Sequence, residues 1–494
     1  MALLLCRFRQ ATALAVVASF AWVSYWQQGH AQALPPYSIA VGLPSPTGLT
    51  TLPGLNDAQQ AMAQSINNFC PTVVSIAVTP AQRDLANICS AMIGTAVQVQ
   101  NQPNPLGLPS FGISSNALSG ALTSLNGGVE VVVPTSQGSV LQTQQSSLMG
   151  GVVEARLSAL RSREGNSGYA LAVPRQLAAA TPYSTPDVGF DQSAPNQVAY
   201  WNQNFGLYMN WLGQFGNRDT TARQNGNSFS NAGVILGADY RFTPQLAAGA
   251  SFGYTHANTD FDTSAVSAAG QSLDSDLFQG TLYATYSLTN SLYLNGSVLF
   301  GGGSSDSRRR ILIPSTTTVP AVDRIATGSF GVADESASLG GGYVIPLGAL
   351  TITPTARFQY LHVSSDGFTE SGASGLDLRY GGSAHNVYLS YIGGQAQYAM
   401  QTRFGILYPS ARFDWVHQYN SGNAAVSVAY SNDPLLLSNF VFPANRPDRD
   451  YFDVGVGLAL QLTPNQSAFV NYDAIVGLRN TSYNSIVAGL RVTF

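Results

Sequence analysis

The sequence contains little charge and no lysine. Charged residues make up 10% of the 494 positions, and all 22 basic residues are arginine. The net charge of −4 argues against a nucleic-acid partner, because such proteins carry a basic surface. Long apolar runs are missing beyond the N-terminus, which argues against membrane-spanning helices. The mean hydropathy of +0.06 is nonetheless high for a soluble protein of this size.

Histidine is scarce, and the region before residue 200 has none beyond residue 30. The five histidines are His30, His256, His362, His385 and His417. Residues 34–199 therefore cannot form a Ser-His-Asp triad, and they contain neither a G-x-S-x-G nor an H-E-x-x-H motif. We predict no catalytic residues, no metal site and no cofactor. A hydrolase assembled across C-terminal strand ends is the alternative.

Residues 200–494 alternate between apolar and polar positions in segments of about ten residues. In the last segment Ile486, Ala488, Leu490, Val492 and Phe494 share one face. That period and length suit a tilted strand with one face in lipid. We predict a mainly β fold, a twelve-stranded antiparallel transmembrane β-barrel. A soluble β-sandwich, which also alternates, is the alternative.

The lipid-facing stripe of the last segment ends at an aromatic residue. Leu490, Val492 and Phe494 form this pattern, which is typical of the signal that the bacterial barrel-assembly machinery reads. We therefore predict that this machinery is a partner. Charged residues fall on the other face of the strands, as Asp453 and Arg491 do. They suit a polar lumen, either as ordinary ion pairs or as an aid to passage of a chain.

Turn signals divide residues 200–494 into twelve strands. Short turns are predicted around residues 243–244, 289–290, 346–349, 401–403 and 464–465. Longer connections are predicted at residues 220–228, 263–274, 308–326, 366–384, 420–450 and 480–483. This is the alternation of short periplasmic turns and longer external loops that outer-membrane barrels show. The triple arginine at positions 308–310 falls in an external loop on this prediction. We expect it to be solvated, with binding of lipopolysaccharide phosphates as the alternative.

The N-terminus is typical of a secretory signal. Arg7 and Arg9 precede an apolar core at residues 11–23, and Ala31 and Ala33 form a small-x-small cleavage site. We predict that residues 1–33 are removed, with an uncleaved anchor as the alternative. Export to an oxidising compartment would favour a disulfide between the two remaining cysteines, Cys70 and Cys89. Metal binding is a weaker alternative, because no histidine lies near them in the sequence.

Residues 34–125 are predicted to form a small helical segment. Apolar residues from Leu55 to Phe69 recur every three or four positions, which predicts a first helix. Thr79 as N-cap and Pro80 in the first turn predict a second. Residues 126–199 are predicted to hold a helix at residues 136–161, rich in Gln, Ser and Ala, followed by a linker. Such a polar surface suits a wet, narrow space.

These patterns together resemble an autotransporter, a type V secretion protein. Residues 200–494 are similar to its translocator barrel, from Trp201 to the final Gly-Leu-Arg-Val-Thr-Phe. Residues 121–128 and 155–161 resemble the stretch before such barrels that contains the pore helix. Residues 58–91, with Cys70 and Cys89, resemble the cysteine-paired segment of a subset with short N-terminal regions. Residues 34–125 lack the long repeats of typical passengers, and residues 136–161 lack the Asn needed for self-cleavage.

The resemblance implies a monomeric protein of the Gram-negative outer membrane, with outer-membrane lipid and lipopolysaccharide as its surroundings. It implies that the barrel inserts and exports or anchors the short N-terminal segment, with no enzymatic step. Two alternatives remain: an adhesin that acts through its external loops, and a passive porin-like channel.

Overall fold

The computed structural model describes residues 48–104, 107–126, 204–223, 225–262, 271–419, 427–433, 435, 438–441, 448–463 and 465–493. The predicted cleavage residues Ala31 and Ala33, the predicted helix at residues 136–161 and the terminal Phe494 lie outside this part of the chain.

Within the described residues, three helices precede the strands. They are α1 (Asp57–Ile76), α2 (Pro80–Val99) and α3 (Ser115–Asn126). The N-termini of α1 and α2 are stabilised by capping boxes, in which Asn56 and Thr79 accept hydrogen bonds from the N3 backbone amides. The predicted N-cap Thr79 and first-turn Pro80 are confirmed. Helix α3 was not predicted. Among the described residues, no helix combines the length and apolar character that a membrane span would need.

Eighteen strands follow within the described part of the chain. They are β1 (Phe205–Arg218), β2 (Asn227–Arg241), β3 (Leu246–Phe261), β4 (Ser272–Ser287), β5 (Leu292–Ile313), β6 (Val322–Tyr343), β7 (Ile345–Leu347), β8 (Leu350–Ser365), β9 (Phe368–Thr369), β10 (Leu378–Tyr380), β11 (Ser383–Tyr398), β12 (Met400–Thr402), β13 (Gly405–Gln418), β14 (Ser427–Tyr430), β15 (Phe440–Val441), β16 (Asp450–Thr463), β17 (Gln466–Val476) and β18 (Thr481–Thr493).

Twelve of these strands form a closed antiparallel barrel. They are β1–β6, β8, β11, β13 and β16–β18. Strand β1 pairs with β18 on one side and with β2 on the other, so the sheet closes on itself. The short strands β7 and β12 belong to the turns after β6 and β11. The predicted twelve-stranded barrel is confirmed, and its first strand begins and its last strand ends on the side of the short turns.

The two barrel faces differ as the alternation predicts. Leu490 and Val492 expose 50% and 36% of their surface on the outer face, while Arg491 between them is buried. The same outward apolar row occurs on the other strands, with Leu236, Phe358 and Val456 as examples. An apolar exterior around a polar interior is what a spanning barrel requires.

Three of the predicted long loops contain regular structure instead. Strands β5 and β6 continue as a hairpin to Ile313 and from Val322, so the connection shortens to residues 314–321. The expectation that the triple arginine lies in a loop is therefore wrong, because alternate residues of this hairpin pack against the helices. The connections after β8 and β13 carry β9, β10, β14 and β15, which form a four-stranded sheet in the order β15-β14-β10-β9.

Candidate functional site

The helical segment packs on the end of the barrel that carries the long connections. We call α1, α2, α3 and their described connections the cap. The hairpin end of β5–β6, residues 366–382 and residues 427–441 form the surface beneath it, which we call the platform. Cap and platform share one buried apolar cluster. Strand β1 begins and β18 ends at the opposite end of the barrel, beside the short turns.

Large side chains fill the interface between cap and platform. Phe69 of α1 lies 5.1 Å from Tyr430 of the platform, measured between ring centroids, and both are buried. Leu122 and Leu125 of α3 join Ile311 of the hairpin in the same cluster. Burial of one such side chain stabilises the packed state by about 1.5–3 kcal/mol. The interface is therefore built like a protein core rather than a transient contact.

A buried arginine joins the end of α3 to the platform. Arg309 is 3% exposed, and its side chain donates to both carboxylate oxygens of Glu370, with Nε 2.9 Å from Oε1. Its Nη1 donates to the carbonyl oxygens of Ser124 and Leu125 at 3.3 and 3.2 Å. These carbonyls belong to the last turn of α3, where an α-helix lacks internal acceptor partners and attracts a cation. Arg309 therefore caps α3 from the platform.

Glu370 is held by further donors. It is 5% exposed and accepts from the Leu378 N–H at 2.9 Å and the Tyr380 hydroxyl at 3.2 Å. Burial disfavours the charged form of Arg309, but the attraction of the Glu370 carboxylate outweighs it and raises the pKa of Arg309. Burial raises the pKa of the Tyr380 hydroxyl well above its usual value. The buried charge pair is fully hydrogen-bonded, as a stable one must be.

A second ion pair ties α2 to the platform. Arg324 of β6 makes a two-point contact with the Asp84 carboxylate, with Nη2 2.8 Å from Oδ1. The Gly375 N–H also donates to Asp84, at 3.1 Å. Burial favours the neutral acid, but the hydrogen bonds from Arg324 and Gly375 outweigh it, so the pKa of Asp84 lies below its usual value.

Glycine allows the backbone of the platform to approach α2 closely. A Cβ added at Gly375 would lie 2.5 Å from the carbonyl oxygen of Ala81 and 2.5 Å from the amide nitrogen of Leu85. Both are backbone atoms of α2, so neither can rotate away. The absence of a side chain at this position sets how closely the short 3₁₀ turn at Ser374–Leu376 can pack against α2.

The predicted disulfide is confirmed and lies inside the cap. Cys70 of α1 and Cys89 of α2 are bonded, and both are buried. The bridge closes a loop of 19 residues, which constrains the unfolded chain by roughly 3 kcal/mol. It ties the two helices that contribute Phe69 and Asp84 to the platform contacts.

The lumen wall carries the inward charges that the alternation predicts. Arg412 donates to Asp414, Asp453 and Asp473 at 3.0, 2.8 and 2.8 Å. The Arg357 guanidinium lies over the Tyr391 ring, 3.9 Å from its centroid. The Arg412 contacts link three neighbouring strands and the Arg357 contact links two others, so they serve the packing of a polar lumen.

Comparison with known proteins gives this architecture a family. A family model described as the autotransporter beta-domain matches residues 207–473, which is more than half of the chain. The chain belongs to the autotransporter family. Family membership places its barrel among outer-membrane translocator domains.

Similar proteins share only a small fraction of identical residues with this chain. Outer membrane protein A of Rickettsia rickettsii is 23% identical over 295 residues, which cover 58% of this chain and 12% of that protein. This autotransporter chain thus spans about an eighth of that relative. Among solved structures, the translocator domain of the autotransporter NalP from Neisseria meningitidis has a TM-score of 0.44 at 14% identity, covering 59% of this chain and 88% of that one. The beta domain of the Bordetella autotransporter BrkA has a TM-score of 0.41 at 16% identity, covering 59% and 100%.

Three of the four histidines in the autotransporter barrel face outward, and each has a hydrogen-bond partner on the next strand. His256, His362 and His417 each lie opposite an acceptor on the next strand, and their Nδ1 atoms lie 2.8–3.0 Å from it. The acceptors are Asp276, Asn386 and Asp450. Each also accepts from a Tyr or Trp rather than from a serine hydroxyl. Among the described residues no three His, Cys, Asp or Glu lie close enough to hold a metal ion.

The sequence pattern does not single out the residues that join the cap to the platform. The turn signals place Arg309 and Arg324 in one predicted loop, and Glu370 and Gly375 in another. One signal was present: Arg309, Ile311 and Ile313 lie at alternate positions, which would have predicted that the strand continues. Asp84 falls within the cysteine-paired stretch at residues 58–91, where no local pattern marks it.

Proposed function

We propose that this autotransporter exports its own N-terminal segment through the barrel and retains it at the cell surface as the docked cap. The observation that carries this proposal is topological. Helix α3 ends at Asn126 beside the long connections, whereas β1 begins at Phe205 beside the short turns. In outer-membrane barrels the short turns face the periplasm and the long connections face outward. The cap then lies outside, and the chain that follows it returns to the periplasmic end.

A route through the barrel is the one that membrane physics favours. A backbone that crossed the lipid outside the barrel would leave polar groups without hydrogen-bond partners, at several kcal/mol each. The lumen offers polar side chains instead, including Asn210, Gln279 and Gln359, which lie on the inward face of three different strands. This arrangement is consistent with insertion of the barrel first and passage of the N-terminal segment through its lumen afterwards.

Retention rather than release follows from the interface. The cap shares a buried apolar cluster with the platform, and the Arg309–Glu370 pair lies within the contact. Both members of the pair belong to the platform, and the cap supplies the Ser124 and Leu125 carbonyls to Arg309, so release of the cap would remove these acceptors from the guanidinium. The cap therefore functions as a permanent part of the surface in this proposal, and the long connections of the barrel as its base.

We propose a non-enzymatic role for the whole chain. The outward histidines each share an acceptor with an aromatic donor, and this supports a structural function at strand ends rather than activation of a nucleophile. We also propose that the barrel-assembly machinery reads Leu490, Val492 and Phe494. The outward exposure of the first two supports it.

Epitope tags test the export proposal in intact cells. A tag at Asn104, in the connection after α2, should bind antibody without permeabilisation. A tag at Gly348 in a short turn should react only after permeabilisation, and a tag at Thr318 in the β5–β6 connection should react in both states. If the tags at Asn104 and Gly348 behave alike while Thr318 is accessible, the cap does not reach the surface and the proposal fails.

A further inference from the structure

The triple arginine presents its three side chains to two different faces of the β5–β6 hairpin. Arg309 points toward the cap, whereas Arg308 and Arg310, one position to either side, point away from it because successive strand residues alternate. The cap contact described above uses only the middle residue. The outer two lie on the continuation of the lipid-facing side of β5, which carries Leu294 and Phe300 nearer the short turns.

Arg308 and Arg310 line a hollow on this outward face. Its volume is about 590 Å³, and its other lining residues are Asp323, Arg324, Ile325 and Gly372. Arg308 and Arg310 thus share the hollow with the Asp323 carboxylate, while the guanidinium of Arg324 is paired with Asp84 of the cap. Arg310 makes a two-point pair with Asp323 at 2.8 and 2.7 Å. That pair is exposed to solvent, so an incoming anion of higher charge can compete for the guanidinium.

The height of the hollow above the membrane can be estimated from β5 itself. The outward positions are apolar or glycine from Leu292 to Gly302 and polar from Ser304 to Arg310. Ten strand residues at a tilt near 40° rise about 25 Å, which matches the apolar band of an outer-membrane barrel. Arg308 is six residues further along, about 15 Å beyond that band. The headgroup layer of a phospholipid leaflet extends only about 5–8 Å, so the hollow lies above it.

Neighbouring strands support this placement of the boundary. Ser304 is the register partner of Asp276 on β4, which in turn lies opposite His256 on β3. The next outward residues toward the short turns are Tyr254 and Phe278, with ring centroids 5.1 Å apart. Aromatic residues next to polar ones are typical of the membrane interface. The register therefore places the interface near Ser304, independently of the composition of β5.

We propose that this hollow binds the phosphate groups of a phosphorylated glycolipid of the outer leaflet, with Arg308 and Arg310 as the main ligands. Guanidinium groups bind phosphate through paired, charge-assisted hydrogen bonds. A sugar-borne phosphate reaches higher above the hydrocarbon than a phospholipid headgroup does, and arginine side chains extend down toward it. The site would hold the hairpin, and the platform built on it, against the membrane surface.

Binding of defined probes to the full-length protein in detergent tests the proposal without depending on export. Native mass spectrometry would measure the apparent Kd for bisphosphorylated lipid A, for its dephosphorylated form and for inorganic phosphate alone. The R308Q/R310Q variant should bind the bisphosphorylated lipid at least about tenfold more weakly than the wild type. The control R379Q/R403Q loses the same charge at exposed positions outside the hollow and should change the Kd less than twofold. D323N should bind more tightly, because Arg310 loses its competing carboxylate.

The binding measurements can overturn the proposal in several ways. Equal binding by R308Q/R310Q and the control, or equal binding of the phosphorylated and dephosphorylated lipids, would overturn the proposal. Inorganic phosphate that binds the wild type as tightly as the lipid would assign the site to a free anion and overturn the lipid source. Folding of each variant is checked by its resistance to unfolding in detergent at room temperature. If R308Q/R310Q fails this check, the tighter binding expected of D323N decides, and no change in that variant overturns the proposal.

Discussion

Replacing Arg309 by methionine should open the cap while leaving the barrel intact. Arg309 is almost fully buried, and it is the only described side chain that donates both to Glu370 and to the end carbonyls of α3. Methionine fills much of the same volume but donates nothing. Glu370 would then keep the Leu378 amide and the Tyr380 hydroxyl as donors and lose its counter-charge.

The expected magnitude follows from the burial of the pair. Removing one partner of a buried ion pair destabilises by about 3–5 kcal/mol, because the other charge stays buried and uncompensated. At about 1.4 kcal/mol per factor of ten, a loss of 3 kcal/mol raises the open population more than a hundredfold. The barrel ladder does not involve Arg309 beyond its β5 backbone, so the barrel should stay folded.

Trypsin provides a reporter specific to the cap. The chain has no lysine, and Arg83 in α2 is the only basic residue among residues 34–126. Helical structure protects this bond, so cleavage after Arg83 requires local opening of the cap. When opening and closing are fast relative to cleavage, the rate follows the open population. The rate is measured on the purified full-length protein, with reduction before electrophoresis because the Cys70–Cys89 bond spans the cut.

The neighbouring residue supplies the control. Arg310→Met removes an arginine from the same strand, but its partner Asp323 is exposed and such pairs contribute about 0–1 kcal/mol. Cleavage after Arg83 should then rise less than about fivefold. Replacing both members of the buried pair, Arg309→Met with Glu370→Leu, should restore much of the protection, since no charge is left unpaired. Equal cleavage rates in the Arg309 and Arg310 variants would refute the reasoning.

Three further changes test the docking surface. Asp84→Asn should increase hydrogen exchange in α2 near pH 7. The folded pKa of Asp84 lies below its unfolded value of about 3.9. The contribution of this carboxylate to stability is therefore present above about pH 3.9 and lost as the pH falls through the folded pKa. A difference from the wild type that does not shrink as the pH falls below about 3.9 would count against the ion pair. Gly375→Ala should raise the rate of cleavage after Arg83, because its Cβ would lie 2.5 Å from two backbone atoms of α2. The nearest contact of a Cβ at Gly381 is 3.5 Å, so Gly381→Ala should not raise this rate. Equal effects of the two changes would argue against the close approach. Cys70→Ser with Cys89→Ser should lower cap stability by roughly 3 kcal/mol in denaturant titrations followed by the same proteolysis, and an unchanged midpoint would contradict this.

The parts of the fold that sequence could predict are those set by local pattern. Strand number, strand faces and the short turns follow from a period of two and from turn residues, and the barrel confirms them. The start of α2 follows from Thr79 and Pro80, whose capping chemistry acts within one turn. The Cys70–Cys89 bond follows from an even count of cysteines after the predicted export signal.

The contacts between distant segments could not be predicted in this way. The triple arginine has the composition of a solvated loop, and nothing near it in the sequence indicates that Glu370 or the end of α3 lies beside it. Gly375 is an ordinary loop glycine until the backbone of α2 lies against it. Local pattern does not predict helix α3, because many of its residues are small. Its apolar side chains are buried only by packing against the β5–β6 hairpin.

The sequence by itself determined the membrane barrel and the disulfide-tied helices, because alternation, caps and cysteine count act through neighbours along the chain. Only the tertiary structure decided where the helices lie, which residues of the triple arginine point inward, and which end of the barrel the cap covers. These depend on burial, and a charge such as Arg309 can be buried only where partners from two separate segments, the end of α3 and residues 366–382, meet it.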